Sequence, residues 1–438
     1  MRLEQITLCN FRRFSELRMT FHPRLTVIVA KNGQGKTSIL DGATVALGSY
    51  FSSFEFGQAR NFDRYDARYA SKLKNLEKDQ CYPVSVSADV HFANQSHQIL
   101  RELRSAKGRT TTGDAAEINQ YSKSLAQSLT SNQAVSLPLL AYYGSGRLWN
   151  SHKNMKRKLV LTASRSMGYE DCFSAASSYK QVQEWMIKAT FAVIQESRMD
   201  EYPDSNLKNQ LECVQKSINQ VLEPEGWRNF HYSIPHEELA MIHDQLGPLP
   251  VSLLSDGVRA MVSMVADMAW RCAKLNPHFG EMAAQKTDGI VLIDEVDMHL
   301  HPEWQQRVIQ SLTKTFPNIQ FIVTTHSPQV LSTVPKESIR VLSEHNGEMT
   351  AEEPKAHSYG EPSNDVLEAI MGVDPQPPVV EKQNLNRLTE LVEQGDYESE
   401  EAQKLFSLLQ GVLNAAHPQL KKIERSIRRH RFLKGEAN

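Results

Sequence analysis

The chain has 438 residues, enough for up to roughly three average domains and for a full hydrophobic core. It is 40% hydrophobic and 23% charged, with no unbroken apolar run near the roughly 20 residues that span a bilayer, so a membrane-spanning role is not expected. The formal net charge of −2 excludes a surface evenly coated with cations and confines any nucleic-acid contact to local basic patches.

The N-terminus, Met1-Arg2-Leu3-Glu4-Gln5-Ile6, carries an early acid and lacks the apolar stretch of a secretory signal, which predicts a cytoplasmic location. Leu3 to Leu8 reads as a strand, and Arg24 to Val29 as a short apolar strand entering a glycine-rich loop and then a helix. Tyr82 to Phe92 alternates apolar and polar residues, as a half-exposed antiparallel strand does. His97 to Leu103 is its expected partner, across a polar loop at 93–96. Residues 105–135 are rich in Ser, Thr, Gly, Asn and Gln and read as an exposed excursion. Leu137 to Tyr143 is a buried strand running into the loop Gly144-Ser145-Gly146-Arg147. From about 170 to 222 the period turns helical, with Tyr179, Val182, Trp185 and Met186 at spacings of three and four. Strands return at 229–233, 289–293 and 319–324, with a long apolar helix from Ser255 to about Leu275. Helices interleaved with short apolar strands predict an α/β core with a largely parallel sheet, joined to an antiparallel β part. The five cysteines, Cys9, Cys81, Cys172, Cys213 and Cys272, form no C-x-x-C pair, so buried free thiols are expected rather than a zinc site or disulfides.

Four segments carry chemistry. Ala30-Lys31-Asn32-Gly33-Gln34-Gly35-Lys36-Thr37, continuing into Ser38, fits the phosphate-binding loop G-x-x-x-x-G-K-[ST], with Ala30 in the first glycine position. Gly33 and Gly35 let backbone N–H groups turn around phosphates, Lys36 supplies a point charge, and the Thr37 hydroxyl is a magnesium ligand. Ile290-Val291-Leu292-Ile293-Asp294-Glu295 is an apolar strand ending in two acids, Asp294 placed for the metal and Glu295 for polarising the attacking water. Leu254-Ser255-Asp256-Gly257 opens the long helix; its serine is either an ordinary N-cap or a clamp for a γ-phosphate. Thr324-Thr325-His326-Ser327-Pro328 ends the next strand, where His326 can bond the γ-phosphate or the water.

In combination these residues resemble the ABC ATPase superfamily over most of residues 1–345, in the branch of the SMC, RecF and OLD-like proteins. Asn10-Phe11-Arg12-Arg13 is similar to that branch's N-terminal Asn-Phe-Arg element, which brings Arg12 to the nucleotide. Leu254-Ser255-Asp256-Gly257 resembles the ABC signature, so Ser255 and Gly257 are expected at ATP held by a second copy. Asp297-Met298-His299-Leu300-His301-Pro302 resembles the OLD-like D-loop, giving His299 and His301 packing and dimer-contact roles rather than metal ligation. No clear Q-loop glutamine is present; Tyr143 or Arg147 stands in its place. Ala141 to Arg147, the signature, and Tyr359-Gly360-Glu361-Pro362-Ser363-Asn364 together resemble the ATPases of Septu and retron-linked antiphage systems. That resemblance implies ATP and Mg2+ as cofactors, a homodimer or higher oligomer, and an HNH nuclease partner. In a retron it also implies a reverse transcriptase with its DNA–RNA product.

The expected organisation is an N-terminal core part at 1–150, an inserted helical lobe at 151–235, a second core part at 236–345 and a helical extension at 346–438. The alternative function is a DNA-repair ATPase of the RecF or SMC kind acting on DNA ends or gaps. The helical lobe and long extension disfavour a transporter subunit, and the lack of a strand-borne Asp-x-Asp after His326 disfavours an intrinsic nuclease. Four aligned catalytic elements make a non-enzymatic module the poorest fit. Past Pro378, Leu385, Leu388, Leu391 and Val392, then Leu405, Leu408, Leu409 and Val412, recur at helical spacing and predict two amphipathic helices that dock a partner. Lys421, Lys422, Arg425, Arg428, Arg429 and Arg431 follow as a basic run, either a solvated face or a contact for nucleic acid or an acidic partner.

Overall fold

The computed structural model describes the chain apart from residues 71–78, 112, 132–134, 149–163, 175–178, 199–205, 415–416 and 434–438. It divides into two compact units, Met1–Met371 and Gly372–Asn438. Among the described residues no helix is long and apolar enough to cross a membrane.

In the first unit, β1 (Arg2–Phe11) turns back through Arg12 and Arg13 into β2 (Phe14–Thr20), and β3 (Leu25–Val29) leads into the phosphate loop and helix α1 (Lys36–Leu47). The hairpin of β4 (Val84–Phe92) and β5 (Gln95–Leu103) completes an antiparallel sheet in the order β2-β1-β4-β5. Its turn is tighter than the expected loop at 93–96. Only Ala93 and Asn94 intervene, both left-handed (φ 48° and 63°), which is the backbone a two-residue hairpin needs to match strand twist. The stretch expected as an exposed excursion contains helix α2 (Ala116–Thr130), anchored by Ile118, Ser122 and Leu125. These sit at the four-and-three spacing of one helical face, and the buried serine breaks the apolar signal that would have revealed it.

The chain continues through β6 (Leu139–Tyr143), α3 (Tyr179–Glu196), α4 (Leu207–Leu222), a meander of β7 (Trp227–Ser233), β8 (Glu238–His243) and β9 (Gly247–Pro250), and α5 (Asp256–Leu275). It then forms β10 (Gly289–Ile293), α6 (Val308–Thr315), β11 (Ile319–Thr325), β12 (Ile339–His345) and β13 (Glu348–Glu352). The central six-stranded sheet runs β13-β12-β3-β11-β10-β6, parallel throughout except at its β12–β13 edge. Every residue of β3, β6, β10 and β11 is buried, as parallel strands covered on both faces must be. The C-terminal ends of β3, β10 and β11 carry the phosphate loop, the Asp294-Glu295 pair and His326. Helices α3 and α4 pack on α5 within the same unit: the Trp185 and Trp270 rings lie 6.4 Å apart, and Cys213 Sγ donates to the Ala269 carbonyl at 3.9 Å. Part of the expected lobe, 151–163, lies outside the described residues. In the stretch expected as a helical extension, Glu348–Glu352 is a strand of the central sheet, and the second compact unit begins at Gly372.

The second unit is built from α7 (Glu381–Glu393), α8 (Glu400–Val412) and α9 (Pro418–Leu433). Leu385, Leu388, Leu391 and Val392 of α7 meet Leu409 of α8 and Leu420 and Ile423 of α9 in a core of their own. Leu408 and Val412, expected on the apolar face of α8, are exposed.

Candidate nucleotide-binding site

The phosphate loop stands at the end of β3, at the centre of the parallel sheet. Gly33 and Gly35 have φ of 76° and 94°, a backbone that turns successive N–H groups toward one point. A Cβ on Gly35 would lie 2.5 Å from the Phe14 ring, so the loop rests directly on the corner between β1 and β2. The Lys31 N–H donates to Gln34 Oε1 at 3.1 Å, while Lys31, Asn32 and Gly33 are exposed. Lys36 folds back so that Nζ donates to the Ala30 carbonyl at 3.2 Å. Burial pushes the Lys36 pKa down, against the pull of Asp294, Glu295 and Asp297. Ser38 is buried on α1 behind the loop.

Three neighbouring strands then converge. Thr37 Oγ1 donates to Asp294 Oδ2 at 2.9 Å, across a sequence separation of 257 residues. The other Asp294 oxygen accepts from Thr324 Oγ1 at 2.6 Å, and Thr324 Oγ1 in turn accepts the Glu295 N–H at 2.8 Å. Glu295 adopts φ 50°, turning the chain sharply as it leaves β10. One hydroxyl and one carboxylate are hard oxygen donors, the set from which Mg2+ takes one or two ligands when phosphates and water supply the rest. Thr37 and Asp294 therefore fit a magnesium ion, which neutralises phosphate charge when bound.

His326 follows β11 directly. Its pKa is lowered by burial first and by the Lys36 ammonium second, with Asp297, Glu295 and Asp294 opposing. All five groups thus share one electrostatic field. The loop after Glu295 is tied to the histidine loop: Thr325 Oγ1 donates to Asp297 Oδ1 at 2.5 Å, and Gln305 Nε2 donates to the Leu300 carbonyl at 2.9 Å while its Oε1 accepts from Ser327 Oγ at 2.7 Å. Asp297 and Gln305 acquire these roles only from tertiary structure; no local motif marks Gln305. His301 Nδ1 accepts the Glu303 N–H at 3.4 Å and so caps the short helix Pro302–Gln305.

The N-terminal arginines have different partners. Arg12 is held by two carboxylates, Nη1 to Asp41 Oδ2 at 2.5 Å and Nε to Asp66 Oδ1 at 3.0 Å, and Asp41 also pairs with Arg60 at 2.7 Å. It is Arg13 that touches the phosphate loop, donating to the Gly33 carbonyl and, at 3.0 Å, to Glu344.

The signature segment is built elsewhere in the unit. Ser255 precedes the first residue of α5, is exposed, and makes no side-chain cap bond, so the simple N-cap reading of its hydroxyl fails. Among the described residues it makes no hydrogen bond to the phosphate loop. Gly257 is required by packing: a Cβ there would lie 2.3 Å from the His299 carbonyl oxygen. The start of α5 is therefore seated on the loop that follows Glu295, whose His299 has φ 63°. Deeper along α5, Asp267 Oδ2 accepts from both Tyr143 Oη and Arg271 Nε at 2.7 Å, and Arg271 Nη1 donates to the Gly168 and Glu170 carbonyls at 2.8 and 2.9 Å. The Tyr143 carbonyl accepts the Asp294 N–H at 2.8 Å. Tyr143 is thus a buried link between α5 and the strand that leads into Asp294. The Arg147 side chain lies outside the described residues.

Several known proteins are similar to this chain. A second family model, "AAA ATPase domain", matches residues 174–331. "Retron Vc95 probable ATPase" of Vibrio cholerae is 28% identical over 86% of this chain and 80% of its own length. "Septu protein PtuA" of Bacillus thuringiensis is 21% identical over 85% of this chain and 84% of its own. Among solved structures, the SMC head bound to the C-terminal winged-helix domain of ScpA aligns with a TM-score of 0.48 and 16% identity, over 80% of this chain and 97% of that one. The family model described as "AAA domain" matches residues 5–224, half of the chain, and the chain belongs to that family.

Proposed function

We propose that the chain is a magnesium-dependent ATPase that works as a head-to-tail dimer and controls a partner HNH nuclease in an antiphage complex of the retron or Septu type. The observation that carries the reading is the 2.9 Å contact of Thr37 with Asp294, beside Lys36, Glu295 and His326. Lys36 and the N–H groups of Asn32, Gly33, Gly35, Thr37 and Ser38 hold the phosphates. Thr37 and Asp294 hold Mg2+. Glu295 orients and polarises the attacking water, and His326, neutral at pH 7, hydrogen-bonds the γ-phosphate or that water. Arg12 supports the nucleotide side of α1 through Asp41. Ser255, with the turn at Gly257, reaches ATP bound by the other copy, where the start of α5 meets a γ-phosphate.

The names of the retron and Septu relatives support the defence role; the nuclease partner and, in a retron, a reverse transcriptase with its DNA–RNA product are part of the proposal. The test is phosphate release by the purified chain with Mg2+ and ATP, alone and co-expressed with a candidate HNH nuclease. Release that depends on Lys36 and Glu295, together with co-purification of the nuclease, is the expected result. A chain that binds no ATP in either setting overturns the catalytic reading; ATP hydrolysis without nuclease capture overturns only the partner.

A further inference from the structure

The second unit treats its cations in two ways. Among the described residues outside α9, each Lys and Arg has a carboxylate: Lys382 on Asp374, Arg387 on Glu401 at 2.8 Å, and Lys404 on Glu400 at 2.5 Å. Helix α9 carries six Lys or Arg against a single acid, Glu424. Its inner stripe, Leu420 and Ile423 with Ile427 behind them, is committed to the core, and Arg431 lies over the Tyr397 ring at 6.0 Å. The other five, Lys421, Lys422, Arg425, Arg428 and Arg429, are exposed. Among the described residues none of the five has a carboxylate within ion-pair distance. Uncompensated charge of this density on one solvent face repels itself and is relieved by a polyanion.

We infer that the outer face of α9 binds the phosphate backbone of a nucleic acid. Positions 421, 425 and 428 form one row along the helix and 422, 425 and 429 a second, each spanning about 10.5 Å at 1.5 Å per residue. A nucleic-acid strand presents a continuous line of charge to such rows, whereas an acidic protein surface presents separate carboxylates that must be matched one by one. Three of the five are arginines, whose planar guanidinium pairs with phosphate through two parallel bonds. At the helix end Phe432 is 73% exposed, offering an aromatic face on which an unpaired base can stack. These contacts carry no base readout, so sequence-independent, salt-sensitive binding follows.

The test uses the full chain and a labelled oligo-dT, read by fluorescence anisotropy. Neutralising all five phosphate contacts on a single strand removes about 3.5 from the slope of log K against log salt, so the loss of affinity is about 100-fold greater at roughly 50 mM salt than at roughly 200 mM. The variant is K421Q/K422Q/R425Q/R428Q/R429Q, whose substitutions are all exposed; unfolding midpoint and ATP binding are measured alongside to verify its fold. The charge-preserving variant R425K/R428K/R429K should retain most of the affinity, which a purely structural role for this face does not predict. Equal oligo-dT affinity and salt slope in the wild type and the glutamine variant overturns the inference. So does competition by poly-glutamate as effective as unlabelled oligo-dT at equal charge, which assigns the face to an acidic protein partner.

Discussion

The two halves of the nucleotide site are finished to different degrees. At the phosphate loop the polar groups already hold one another: Lys36 on the Ala30 carbonyl, Thr37 on Asp294, Thr324 on Asp294 and the Glu295 N–H. At the start of α5 the backbone is seated against His299 through Gly257, yet Ser255 is exposed and its side chain caps nothing. The difference teaches that the phosphate-loop side is internally hydrogen-bonded, whereas the start of α5 is fixed by packing and leaves its serine open to solvent. An exposed hydroxyl at a helix N-terminus is open to an anion from outside, which is what the proposed action in trans requires.

The largest effect should come from emptying the finished half. Glu295→Gln keeps the shape of the site and removes the base, so ATP affinity stays while hydrolysis falls about 10²- to 10⁴-fold. Lys36→Ala should instead lose ATP binding. Normal turnover in the glutamine variant, measured by phosphate release, would remove Glu295 from the chemistry.

Next in size is the open half. Ser255→Ala should lower turnover by about 100-fold, the usual loss of one donor aimed at developing negative charge, with nucleotide affinity of the monomer unchanged. Mixing it with Lys36→Ala restores one intact composite site per heterodimer, so partial activity returns. Heterodimers that form and stay inactive at every mixing ratio would place Ser255 in cis.

The link between the halves gives a smaller effect. Tyr143→Phe removes the bond to buried Asp267 and should cost about 1.5–3 kcal/mol of stability, read as a lower urea midpoint, while leaving the phosphate loop intact. An unchanged midpoint would mean that Asp267 is satisfied by Arg271 alone.

The smallest effect concerns pH. The His326 pKa lies below its ordinary value of 6.5, chiefly through burial. Its stabilising contribution is therefore present above the unfolded value and lost as pH falls through the lower folded one. Turnover should be flat above neutrality and drop on the acid side, and His326→Gln should weaken that acid limb. An identical pH–rate profile in the variant would exclude His326 as the titrating group.

How much of this could be read without coordinates differs by residue. The phosphate loop, the acidic strand end and the histidine switch are local strings, because each motif is a strand delivering adjacent residues to one point. The roles of Arg12 and Arg13 were not separable, since neighbours in a tight turn diverge by backbone conformation that composition does not record; only the fold sends Arg12 to Asp41 and Asp66 and Arg13 to Gly33. Helix α2 was hidden for a related reason: its face needs just Ile118, Ser122 and Leu125, too thin a stripe to stand out in a polar stretch. The sequence by itself determined the chemistry available here, namely phosphate-cradling glycines, a lysine, hard oxygen donors and a base, because those depend on residue type at short spacing. Tertiary structure alone decided which of them meet. Thr37 reaches Asp294, Tyr143 joins α5 to β10, and Gly257 seats on His299 because strands distant in sequence lie side by side in one sheet and bring their loops to a common edge.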